Sequence, residues 1–246
     1  INKAEAEMIR ARVLPNVSVL SSLGDVSTKS DILLRAYNWF LHDLKPLITP
    51  ETELRGYSDV DVFDDEKMKK LMINLMRRAD FNLDRIFTEK DVTISENGNL
   101  GEDKSKPYAL YYVENEKIIR RQVEFHHSVF EGNESKSYPL EDELESRGTW
   151  RYFGLTGALL EVLQAHKILF IDELENSLHP DLLNYFYSMF LINSKGAQMI
   201  FTTHNRELLD DKELCRRDSI WFTEKQRDGS TELYSIADIN GIRKDK

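Results

Sequence analysis

The sequence predicts an α/β fold with a mostly parallel sheet flanked by helices. Three observations lead there. Residues 167–171 and 198–203 are short, nearly continuous apolar runs, the pattern of strands buried on both faces. Pro180 opens a helical stretch to Asn193 between them, with proline near the first helical position. Strand, helix and strand in that order make a βαβ unit.

The elements follow in chain order. Residues 1–29 show no clear period. Ser30 reads as an N-cap, followed by Ile32, Leu33, Ala36, Tyr37, Phe40, Leu41 and Leu44 at helical spacing, giving a helix at about 30–45 that stops before Pro46. Asp64, Asp65 and Glu66 load the first turn of a second helix at about 64–82, where the helix dipole favours negative charge. Met68, Leu71, Met72, Leu75, Met76 and Ala79 form its apolar face. Three methionines there could make an adaptable groove; ordinary core packing is the simpler reading. From Asp91 the period becomes two, and a β-hairpin region spans about 91–127, with Glu114-Asn115-Glu116-Lys117 as its turn. His126 and His127 face apart on a strand and cannot share one metal. Residues 131–145 are acid-rich and read as an exposed loop. A helix follows over 149–166, and after the βαβ unit a short helix over 206–210. Strands at 219–223 and 232–236 flank the turn Arg227-Asp228-Gly229-Ser230.

Composition bounds the function. The chain has 246 residues, 41% of them hydrophobic, enough for a core and against disorder. The formal net charge of −10 argues against a broad electrostatic grip on nucleic acid and leaves room for a local basic patch. The lone Cys215 cannot form an internal disulfide, which suits a reducing, cytoplasmic setting. No apolar run approaches the ~18 residues of a membrane helix, so no membrane role is expected. A chain that opens on Ile1 predicts sequence in front of it.

The residues that carry chemistry lie in the second half. Ile168-Leu169-Phe170-Ile171-Asp172-Glu173 is a buried strand that delivers two carboxylates at its carboxyl end, where open α/β sheets bind ligands. The pair suits phosphoryl transfer to water: Asp172 can hold Mg²⁺, and Glu173 can orient and deprotonate the attacking water. One strand–helix–strand unit later, Thr202-Thr203-His204-Asn205 ends the next strand, placing His204 on the same rim. Upstream, Ser146 is a good N-cap, and Gly148 opens a helix whose free N–H groups favour an anion. Each feature alone has a plain structural explanation; their order and spacing favour function.

That order is Ser146-Arg147-Gly148-Thr149, Ile168–Glu173, Leu178-His179-Pro180 and Thr203-His204-Asn205. It resembles the heads of ABC-type P-loop ATPases, and more closely the AAA15/AAA21 group of bacterial anti-phage and abortive-infection systems, with the overlapping-nuclease ATPases as more distant relatives. The match covers about 140–246 specifically and 1–139 more loosely. The resemblance implies that Ile168–Glu173 is the Walker B strand, with Asp172 on Mg²⁺ and Glu173 as catalytic base. It implies that Ser146, Gly148 and Thr149 form a signature loop facing ATP of the opposite subunit. It makes Asn176, Ser177, Leu178 and His179 the D-loop and His204 the switch histidine. Residues 1–139 would be a helical and β-hairpin insertion or lid, and 140–246 the C-terminal half of the head. No Gly-x-x-x-x-Gly-Lys-Ser/Thr occurs in the chain, so the resemblance places that phosphate loop before Ile1. The signature loop departs from the pattern too, with one glycine and Arg147.

The resemblance implies an ATP- and Mg²⁺-dependent sensor or scaffold of a defence system. It would act as a homodimer or higher homo-oligomer controlling an effector nuclease of Toprim type, on a separate chain or beyond Lys246, with a phage-derived or nucleic-acid trigger. Two alternatives stand beside it. A repair or chromosome-maintenance ATPase should carry a long coiled coil, whereas this chain has Pro46, Pro50 and Gly56 in the insertion. A non-catalytic interaction scaffold would not need Asp172, Glu173 and His204.

Overall fold

A computed structural model describes residues 3–13, 17–25, 28–54, 65–79, 82–93, 110–114, 117–132, 134–140, 144–210 and 214–239. The chain starts with three helices, α1 (Lys3–Arg12), α2 (Val19–Ser22) and α3 (Asp31–Asn38). A wider π-type turn, Trp39–Asp43, continues α3, so the helix expected to 45 ends slightly earlier. Ser30 occupies the N-cap position, but its hydroxyl makes no capping hydrogen bond. The predicted apolar face is not buried: Ile32, Phe40 and Leu41 are exposed, while Leu33 and Tyr37 pack on a small satellite core of Ile9 and Leu23.

Helix α4 (Glu66–Arg78) begins where the Asp65 carboxylate accepts from the Lys67 and Met68 amides. It is shorter than 64–82, because Asp65 is the cap rather than a helical residue and Leu83 already belongs to a strand. Met72, Leu75, Met76 and Ala79 are buried in the main core, as plain packing predicts.

Four antiparallel strands follow: β1 (Leu83–Thr93), β2 (Leu110–Glu114), β3 (Lys117–Glu131) and β4 (Glu134–Leu140). β3 is the spine: β1 pairs along one side of it, and β2 and β4 share the other side in succession. The expected hairpin is β2–β3, but β1 starts at Leu83, ahead of residue 91, and β3 runs past 127. The expected loop at 131–145 contains β4, entered through Gly132 at φ +67°. Its side chains are exposed on both faces up to Tyr138 and Pro139, so no alternation marks it as a strand. The turn residues Asn115 and Glu116, and residues 94–109 of the expected hairpin region, lie outside the described residues.

The α/β part comprises α5 (Arg147–Ala165), β5 (Ile168–Ile171), α6 (Pro180–Asn193), β6 (Gln198–Phe201) and the single turn α7 (Glu207–Asp210). β5 and β6 are parallel neighbours, Ile168 opposite Gln198 and Ile171 opposite Phe201. On the other side of β5, residues 44–48 run parallel to it through bridges at Leu44 and Ile48. Among the described residues the parallel pairing ends there, and the larger sheet is antiparallel. The mostly parallel architecture therefore describes only this part of the chain. β7 (Trp221–Lys225) and β8 (Thr231–Ser235) do not extend it either: they form a separate antiparallel ribbon around Gly229.

Helix α5 organises the core. It is apolar on nearly all sides, and every residue from Thr149 to Leu160 is buried. One side receives the antiparallel sheet, with Phe125 edge-on to Trp150 and Phe153 at centroid distances of 4.7 and 5.1 Å. Another side receives residues 48–54. The Arg151 guanidinium, 7% exposed, donates from Nη1 to the Thr49 carbonyl at 3.0 Å. Burial pushes its pKa down, and the Glu51 carboxylate partly offsets this.

One turn on, Gly154 lets this segment sit directly on the helix. A Cβ there would lie 2.3 Å from Leu54 Cβ and 2.5 Å from the Leu54 carbonyl oxygen. Gly→Ala in an open helix stabilises by ~1 kcal/mol. Here the sign reverses: Gly154→Ala is expected to cost ~1–3 kcal/mol through overpacking. Chemical denaturation checks it, and a variant more stable than the native chain would contradict the packing.

Candidate functional site

The candidate site sits at the carboxyl ends of β5 and β6. With Ile171 opposite Phe201, the next residues, Asp172 and Thr202, come side by side. The Thr202 hydroxyl donates to Asp172 Oδ1 at 2.5 Å and accepts from the Glu173 amide at 2.9 Å. One side chain thus ties the neighbouring strand to both members of the acidic pair. The Asp172 amide donates to the Ile48 carbonyl at 2.7 Å, which fixes the strand end from the other flank.

Glu173 leaves the strand at φ +48°, a left-handed conformation costly for a residue with a side chain. The bond from its amide to Thr202 and a bond from the Asn176 amide to its carbonyl, at 2.9 Å, hold it there. This kink ends the regular strand immediately after Asp172, so both acidic residues sit at the carboxyl end of β5.

His204 reaches the same rim. Its amide donates to Glu175 Oε1 at 2.6 Å, and the Leu174 amide donates to the Thr202 carbonyl at 3.1 Å. Burial pushes the Glu175 carboxyl up, but the His204 amide and the Thr203 hydroxyl outweigh it, and its pKa lies below the ordinary value.

The loop at 176–179 joins this rim to the start of α5. The Ser177 hydroxyl donates to Asn176 Oδ1 at 3.0 Å, and Ser177 itself adopts φ +61°. A Cβ on Gly148 would lie 3.0 Å from the Ser177 carbonyl oxygen, so the turn at 146–148 rests on this loop within one chain. Ser146 caps α5, its Oγ accepting from the Thr149 amide at 2.9 Å. Thr149 is buried with its hydroxyl paired to Ser146 Oγ at 2.8 Å, so both hydroxyls take part in the cap. Leu178 packs on the core, and His179 Nδ1 accepts from the Asp181 amide as the cap of α6. Asp172, Glu173 and His204 therefore share one rim, while Ser146, Gly148 and Asn176–His179 form the adjoining shoulder.

Sequence reasoning passed over Thr202, Glu175 and Ile48. Thr202 had a usable signal, since parallel pairing of two strands places it beside Asp172. Ile48 acts through its carbonyl and Glu175 through a carboxylate that accepts from a backbone amide, and no side-chain pattern announces either.

Mg²⁺ fits the donor set. Among the described residues no cluster of three or more metal-ligating side chains exists. Mg²⁺ does not need one, since it is bound through one or two carboxylates together with substrate phosphates and water. Asp172 keeps Oδ2 outside its bond to Thr202.

Carboxylates at the carboxyl edge of parallel strands, braced by a hydroxyl from the neighbouring strand, lie where open α/β sheets bind their ligands. The model of one family, described as "AAA domain, putative AbiEii toxin, Type IV TA system", matches residues 8–210. The chain belongs to this family, whose AAA domain is an ATPase domain of the P-loop type. The match spans the helical and antiparallel part as well as the rim, and β7–β8 lie beyond it. Among proteins of curated function none matches the chain. No helix among the described residues is long and apolar enough to cross a membrane.

The Glu175 contact carries a pH signature. A carboxylate whose folded pKa is depressed stabilises the fold above its unfolded pKa and loses that contribution as pH falls through the folded one. Glu175→Gln is therefore expected to lower stability at neutral pH, with the difference shrinking as pH drops below 4.5. Urea melts of both proteins across the acid range check this. A difference that stays constant down to pH ~3 would contradict the depressed pKa.

Proposed function

We propose that the chain is the C-terminal portion of an ATP-hydrolysing head of ABC type in a bacterial defence system, with residues 1–139 as its insertion or lid. The observation that carries this reading is the Thr202 hydroxyl held between Asp172 and the Glu173 amide at the end of a parallel strand pair. The bond engages the Asp172 carboxylate but only the amide of Glu173, which supports separate tasks for the two carboxylates in hydrolysis of a phosphoanhydride by water.

Asp172 would hold Mg²⁺ through its free oxygen. The ion, when bound, neutralises charge on the triphosphate. Glu173 is the general base: it accepts the proton of the attacking water and orients that water in line with the leaving group. His204, presented from the next strand end, contacts the γ-phosphate side of the same water. Ser146 and Gly148, at the positive end of α5, face the γ-phosphate of a second copy, which makes the active unit a homodimer or higher homo-oligomer.

The family's description as part of a TA system supports a partner protein. We assign the head the role of a nucleotide-gated sensor controlling an effector nuclease, on a separate chain or a further segment. Nothing in a net charge of −10 favours nucleic acid as the main ligand of this part.

The test is Glu173→Gln in the full-length protein. The amide keeps size and hydrogen bonding and removes the base. Phosphate release is expected to fall at least ~100-fold, at the lower end for loss of a general base, while ATP binding persists. Phosphate release at the native rate would refute the assignment.

A further inference from the structure

The two adjacent histidines of β3 have different fates. His126 pairs with Glu124 on the opposite face of the sheet, both on the same strand. His127 lies on the face of Val123 and Phe125, which rests on α5. Its Nε2–H donates to the carboxylate of Glu145, whose side chain is 2% exposed. Glu145 is the residue immediately before Ser146, the cap of α5.

We infer that His127 is a positioning residue for the turn 145–148, tying the antiparallel sheet to the part of the site that faces a ligand. A buried carboxylate needs a hydrogen-bonding partner, or it reorients towards water. Glu145 has that partner on the sheet, and the positive end of α5 favours its charge as well. Turning Glu145 outward would rotate Ser146, whose Oγ and carbonyl accept from the Thr149 and Trp150 amides. It would also shift Gly148 from its seat on the Ser177 carbonyl, and so disturb the loop whose Asn176 amide bonds the Glu173 carbonyl. The apolar contacts of Phe125 with Trp150 and Phe153 set how close sheet and helix lie. The His127–Glu145 bond sets the orientation of the turn.

The kinetic consequence rests on the proposed ATPase reading; the structural one does not. The experiment uses the full-length protein with His127→Ala, Glu145→Ala, the double variant, His127→Gln, which keeps a donor within reach, and His126→Ala as the opposite-face control. Amide hydrogen exchange at Thr149 and Trp150 is expected to rise about tenfold in each alanine variant at 127 and 145, within the range of a lost cap. The double variant should add little to either single one. His127→Gln should restore native exchange, and His126→Ala should leave it unchanged. Steady-state hydrolysis should show kcat falling severalfold in the same variants while KM stays put. Where His127→Ala does not fold, His127→Leu replaces it, filling the volume without a donor. Native exchange at 149–150 in the donor-less variants, or equal effects of the 126 and 127 substitutions, would overturn the inference even if stability fell. A native protein without ATP hydrolysis would instead overturn the reading of the site, and the exchange data would still decide this one.

Discussion

The hydroxyl of Thr202 is the interaction on which the rim depends. Two carboxylates in succession at a strand end repel each other and prefer water, and an ordinary strand would point them to opposite faces. The left-handed turn at Glu173 ends that alternation at a backbone cost of order 1–3 kcal/mol. The hydrogen bond from the Glu173 amide to Thr202 offsets part of it, and the same oxygen donates to Asp172. The parallel register of β5 and β6 makes this geometry available. A slip of one residue would set Asp172 beside Phe201 or Thr203 and dismantle it.

Around that rim the fold works as a set of clamps on one buried helix. Residues 44–54 hold β5 by backbone bonds and α5 through Arg151 and the space at Gly154. The antiparallel sheet holds α5 from another side through Phe125 and His127. α5 ends in a left-handed His166, which returns the chain to β5 within three residues. The capped start of α5 and the ends of β5 and β6 are thereby joined through Ser177, with no separate element between them.

Much of this was legible in the chain itself. The β5–α6–β6 unit reads directly because apolar runs and a helix-starting proline are local signals, and α6 spans the predicted 180–193. The shared rim of Asp172, Glu173 and His204 was legible because the apolar runs before them mark the ends of two parallel strands. The antiparallel part was less so. β4 carries exposed charged and polar side chains on both faces, so only its pairing with β3 makes it a strand. The face of α3 misled for the opposite reason: helical spacing is present, but nothing among the described residues covers Ile32, Phe40 and Leu41. Thr149 and His179 also serve as parts of helix caps, a role that their place beside Ser146 and Pro180 makes natural. The kink at Glu173 left no trace in the sequence, because a positive φ at glutamate is imposed by its partners rather than by its own preference.

The most direct measurement is phosphate release by full-length Thr202→Val and Thr202→Ser proteins, beside their thermal melts. Valine keeps the branched shape and removes the donor to Asp172 and the acceptor for Glu173; serine keeps both. The account predicts that Thr202→Val loses at least about tenfold in rate while Thr202→Ser stays within a few fold, in line with ~1–3 kcal/mol for a lost bond to a charged group. Native turnover in Thr202→Val, with the protein folded, would contradict the claim that this hydroxyl holds the acidic pair in its working geometry.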